Sequence, residues 1–104
     1  MEQYKIKVTD PAENDLRNII SYIATQLSAP ETATSMAEHI GKAMFSLAEM
    51  PHRHPLVANE QLAWRGFRKV TVRNYNVFFV IHETEGIVRI MRILYARQDW
   101  QRML

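Results

Sequence analysis

The chain has 104 residues, 47% of them hydrophobic, a net charge of +2 and no cysteine. That length suits one domain spanning residues 1–104, and the lack of cysteine excludes disulfides and thiolate metal sites. No stretch approaches the roughly 20 apolar residues needed to span a bilayer, and the opening MEQYKIKVTD holds no apolar run that could act as a signal segment, so a cytoplasmic location without membrane contact is expected. The charge is uneven: residues 1–64 sum to −3 and residues 65–104 to +5. A basic half points to a polyanionic partner, nucleic acid or an acidic protein segment, as readily as to a solvated basic surface.

Residues 3–9, QYKIKVT, alternate, with Tyr4, Ile6 and Val8 on one side and Lys5 and Lys7 on the other, which predicts a half-buried strand. A helix start follows, with Asp10 read as the N-cap, Pro11 at the first helical position and Glu13 completing a capping-box pattern. Ala12, Leu16, Ile19, Ile20, Ile23, Ala24 and Leu27 then form one helical face. Ser28-Ala29-Pro30-Glu31 breaks the pattern, and a second stripe (Ala33, Met36, Ala37, Ile40, Met44, Leu47) runs until Met50-Pro51, giving a helical hairpin. The stretch PHRHPLVANEQLAWRG is read as a loop. Three strands come next, Phe67 to Arg73, Tyr75 to Glu83 and Ile87 to Tyr95, joined by tight turns at Arg73-Asn74 and Glu83 to Gly86 and therefore antiparallel. The last nine residues suit a short helix or a tail, with Trp100 anchoring it to the domain.

The order β-α-α-β-β-β defines an α+β domain with the helical hairpin packed on one face of a mainly antiparallel four-stranded sheet. The hairpin covers one face, so the other is expected to stay open, with basic residues gathered in a groove there. Strict alternation along the last strand puts Arg89 and Arg92 on opposite sides, and the register that decides which of them faces the groove is not readable.

Several segments carry a family resemblance: Thr9-Asp10-Pro11-Ala12, Met50-Pro51 to Pro55-Leu56-Val57, Gly66-Phe67-Arg68-Lys69, Asn74-Tyr75 with Val77-Phe78-Phe79, and the ending Arg92-Ile93-Leu94-Tyr95-Ala96-Arg97-Gln98-Asp99-Trp100. In this order they resemble the RelE/ParE superfamily of toxins, the plasmid-stabilisation type of type II toxin–antitoxin systems, over nearly the whole chain. The resemblance implies the RelE/ParE-like fold, growth arrest, and neutralisation by a cognate antitoxin in a toxin–antitoxin hetero-oligomer. It implies one of two targets: RelE-like members cut mRNA on the ribosome, and ParE-like members block DNA gyrase without known ribonuclease chemistry.

Metal-independent RNA cleavage needs a base for the 2′-hydroxyl, cations for the phosphate and an acid for the leaving oxygen. Arg73, Arg92 and Tyr95 are the catalytic candidates under that reading, with His54 and His82 as further acid–base groups. Arg68, Lys69, Arg73, Arg89, Arg92 and Arg97 are the candidates for contact with nucleic acid or another target. RelE-like enzymes commonly carry an arginine after the aromatic residue that opens the second strand of the trio, whereas here Asn76 follows Tyr75. With the Arg92-to-Trp100 ending, which is ParE-like, that departure sets gyrase inhibition slightly ahead of ribonuclease activity. An acidic or amphipathic antitoxin segment is expected to cover Arg73 and Arg92. No cofactor is implied, and His52 and His54, with no acid at ligand spacing, are not read as a metal site.

Overall fold

The computed structural model describes residues 3–104, so the first two residues of the strand-like opening lie outside it. Strand β1 (Lys5–Val8) shows the expected alternation, with Lys5 and Lys7 exposed and Ile6 and Val8 half-buried. Helix α1 (Asp10–Ser21) starts one residue earlier than its sequence signal suggests. The cap is Thr9, whose hydroxyl accepts from the Ala12 amide at 3.3 Å and donates to the Ile90 carbonyl at 2.8 Å. Thr9 wins over Asp10 because its hydroxyl ties the helix start to the sheet as well as to the first turn.

Past Ser21 the helix widens into a π-helical turn over Tyr22–Gln26, and Ser28 closes it in the left-handed region. Helix α2 (Pro30–Ser46) begins on a proline, which has no amide hydrogen to leave unpaired. Its carboxyl end is capped by Arg53, which donates to the Ser46 carbonyl at 3.2 Å and the Met50 carbonyl at 3.1 Å. The stretch read as a loop contains a 3-10 turn (Pro51–Arg53) and helix α3 (Glu60–Trp64), started by Asn59, whose side-chain oxygen accepts from the Leu62 amide at 3.0 Å. Five residues are too short to show helical periodicity, so only the Asn59 cap could have betrayed it.

Strands β2 (Arg68–Val72), β3 (Tyr75–His82) and β4 (Ile87–Tyr95) complete one sheet in the order β1-β4-β3-β2. β1 runs parallel to β4 and the other pairs are antiparallel. The chain ends in α4 (Trp100–Met103). No helix among the described residues is long and apolar enough to cross a membrane.

β4 does not alternate strictly. Phe79 pairs with Ile90 and Phe78 with Arg92, which leaves Met91 as the extra residue of a bulge. The bulge resets the phase. Val88, Ile90 and Ile93 all join the core beneath the helical hairpin, with Val77 and Phe79, while Leu94 faces the opposite side with Phe78.

That opposite side corrects the expectation of a bare sheet face. Val57, Leu62, Phe67, Phe78 and Leu94 form a second, smaller core there, closed by Trp100 and Leu104. The Trp100 and Phe78 rings lie 5.0 Å apart, so the tail is anchored as expected. Covering this side is a physical necessity for a three-strand segment apolar on both faces. Only the β1 side of the face stays open.

Candidate functional site

A concavity of about 800 Å³ lies where β4 outruns β1. Among the described residues, the β1 side of β4 has no strand neighbour beyond Ile90, and α1 takes its place. Asn14, Asn18 and Tyr22, spaced by four, present one helix face to this cleft, and Arg92, Ile93 and Tyr95 line the strand side. Tyr22 and Leu27 at its rim are more than half exposed.

At the cleft's base the Asp15 carboxylate accepts from Arg92 Nε at 2.7 Å and Arg92 Nη2 at 2.8 Å, and from the Ile93 amide at 3.0 Å. The carboxylate thus both forms a bidentate ion pair and satisfies a strand-edge amide that no strand reaches. Arg92 also donates from Nη1 to the Met103 carbonyl at 3.2 Å, which joins α1, the bulge and the tail through one side chain. The Asp15 hydrogen bonds hold the guanidinium above its ordinary range. At the other end of the cleft Tyr75 and Tyr95 meet edge to face with ring centres 5.8 Å apart. Burial first, then the neighbouring Tyr95 and Tyr22, pushes the Tyr75 hydroxyl up.

The remaining candidates are dispersed. Arg73 sits in the β2–β3 turn in the left-handed region and donates to the His39 ring at 2.9 Å, facing α2. Arg68 is on the hairpin side and donates to the His54 carbonyl at 2.7 Å. Lys69 is on the far side, its ammonium 5.4 Å from the Trp100 ring centre. Arg89 is also on the far side, paired across the strands with Val80, and makes a long 3.4 Å bond to the His82 ring; because of the Met91 bulge Arg92, paired with Phe78, starts from the same side and not from the opposite one expected. Arg97 is exposed after β4. Arg92 and Tyr95 therefore share a cleft, whereas Arg73 turns away from it, and the cations do not gather in one groove.

His54 packs edge to face on Phe79 with ring centres 6.0 Å apart, and its buried Nε2 has no hydrogen-bond partner among the described residues. Burial, then the charge of Arg53, pushes its imidazole down. His52 pairs with Glu83, which also accepts from the Tyr4 hydroxyl at 2.8 Å. The Tyr4 and His52 hydrogen bonds hold that carboxyl low. Asn76, which stands where RelE-like enzymes commonly carry an arginine, is buried, and its side-chain oxygen accepts from the Thr71 hydroxyl at 2.8 Å. Sequence reasoning passes over Asp15, Asn14, Asn18 and Tyr22, although the spacing of four that puts Asn14, Asn18 and Tyr22 on one helix face is there to find.

A helical hairpin over one face of a β1-β4-β3-β2 sheet, with a short helix and a tail closing the other, is the architecture of RelE/ParE-type toxins. The chain belongs to the ParE toxin family of type II toxin–antitoxin systems, whose family profile it matches over residues 6–100. Among solved structures it is similar to the chromosomal ParDE system of P. aeruginosa, at 20% identity and a TM-score of 0.72, covering 91% of this chain and 98% of that one. It is similar to the RelBE2 toxin–antitoxin complex of Mycobacterium tuberculosis at 18% identity and a TM-score of 0.63, covering 89% and 98%. A doubly substituted E. coli RelE in the free state matches at 13% identity and a TM-score of 0.66, covering 98% and 99%. At these identities the likeness concerns the fold. A comparison with curated proteins returned no match.

Proposed function

We propose that this toxin arrests growth by a ParE-like block of DNA gyrase, without RNA cleavage, and that a cognate antitoxin neutralises it. The observation that carries the reading is the state of Arg92. Asp15 takes both Nε and Nη2, so the guanidinium is tied into the fold and its charge is offset. Two further features support it. Arg73 turns towards His39 on α2, away from Arg92 and Tyr95. Asn76 is buried and small where RelE-like enzymes commonly carry a cation. A phosphate transition state needs several preorganised donors converging on one point, and these three candidates do not converge. The test is a supercoiling assay with purified gyrase beside ribosomes programmed with mRNA. The expected result is loss of supercoiling with intact mRNA, and cleavage in the ribosome arm with unimpaired supercoiling would refute the reading.

For the antitoxin, we favour the cleft beside α1, which holds Arg92 of the expected pair but not Arg73. It offers a half-exposed apolar rim and a stretch of β4 without a strand neighbour. Extended or helical segments bind such features by adding backbone bonds and apolar anchors. Leu27→Asp is expected to weaken antitoxin binding at least tenfold in calorimetry, and unchanged affinity would move the antitoxin elsewhere.

A further inference from the structure

The open part of the far sheet face belongs neither to the cleft nor to the second core. Lys5 and Lys7 project there from β1, since their in-strand neighbours Ile6 and Val8 pack towards the hairpin core. In register beside them on β4 is Arg89, paired with Lys7, and one strand further is His82, which accepts the long bond from Arg89. A rise of about 3.3 Å per residue puts the two lysines about 7 Å apart along the strand. Among the described residues no ion pair joins Lys5, Lys7 or Arg89 to a carboxylate; in the β3–β4 turn, whose Gly86 carbonyl accepts from the Lys5 amide, Glu83 is taken up by Tyr4 and His52, and Glu85 is exposed and makes no ion pair. Three cations on one surface, none of them ion-paired among the described residues, repel one another, and an anion that bridges them relieves that repulsion.

We propose that this Lys5–Lys7–Arg89 patch is a docking surface for the phosphate backbone of duplex DNA, independent of base sequence. Charge complementarity argues for a polyanion. The aromatic side chains of this face, Phe67, Phe78 and Trp100, are packed into the second core. The patch therefore lacks the stacking platform that single-strand binders use, and backbone contact to a duplex is the mode left to it. The proposal goes beyond the gyrase reading and stands without it, since it rests on charges that do not line the cleft.

The test is fluorescence anisotropy of the purified full chain with a short labelled duplex of random sequence, between about 50 and 200 mM salt. Each phosphate neutralised on B-DNA steepens the fall of log affinity with log salt by about 0.9. Three contacts give a slope contribution of about 2.7, or roughly a 40-fold loss over that fourfold rise in salt. Lys5→Gln with Lys7→Gln is expected to flatten the slope by about 1.8, and Arg17→Gln with Lys42→Gln, which removes two exposed charges from the helical hairpin, is expected to leave it within about 0.5 of the parent slope. Both pairs lie on exposed positions, so circular dichroism is expected to show the parent fold. Equal flattening by the two pairs, or no duplex binding by the parent, overturns the proposal. So does retention of poly-glutamate in place of DNA, which would assign the patch to an acidic protein.

Discussion

Replacing Asp15 by alanine removes three hydrogen bonds at once, two from Arg92 and one from the Ile93 amide. The pair is largely shielded, with side-chain exposures of 25% for Arg92 and 12% for Asp15. Breaking a fully buried pair from one side costs about 3–5 kcal/mol, and an exposed one about 0–1 kcal/mol. Arg92 keeps its bond to the Met103 carbonyl and some access to water, so a value near 3 kcal/mol is expected. Asp15→Asn, which retains an acceptor for the Ile93 amide but no charge, is expected to lose about half as much. With a urea m-value of about 1–3 kcal/mol/M, the alanine variant's midpoint falls by about 1–3 M. A double-mutant cycle with Arg92→Ala isolates the pair and is expected to give a coupling of at least about 1 kcal/mol. Coupling below about 0.5 kcal/mol would show that Asp15 holds Arg92 only loosely. The guanidinium would then be free to meet a phosphate, and the reason for excluding it from catalysis would fail.

Two other substitutions probe the packing on the two sides of the sheet. Trp100→Ala strips the ring that closes Phe78 from solvent. Because Trp100 is itself only partly buried, about 2 kcal/mol is expected in place of the larger loss of a fully buried tryptophan, read by calorimetry as a melting point lowered by roughly 8–16 °C; an unchanged melting point would detach the tail from the core. His54 has a folded-state pKa pushed below its ordinary 6.5 by burial and by Arg53. The unfolded chain therefore binds the proton more readily, so stability is full above about pH 6.5 and falls as the pH drops towards the folded value. His54→Gln is expected to flatten that slope in urea melts between about pH 5 and 7, and an identical slope would place the dependence on another group.

Much of this frame is legible in the chain itself. The alternation of QYKIKVT, the proline at the start of α1, the stripe of α2 and the two tight turns specify the elements, and β4 begins and ends where its pattern says. What escapes is non-local. The Met91 bulge breaks an alternation that can only be assumed in one dimension, and it decides that Leu94 leaves the hairpin core. Asp15 meets Arg92 across most of the chain, so no spacing rule links them. Helix α3 is invisible to periodicity, and without it the far face reads as open. The candidate site therefore reads as a set of residue types, and the geometry shows which of those are already occupied.

Mapping the 5′ ends of cellular mRNA shortly after the toxin is expressed without antitoxin bears most directly on how it acts. If Arg92 belongs to the fold and gyrase is the target, transcripts keep their normal ends while a DNA-damage response rises. New ends clustered within codons on translated messages would contradict that account.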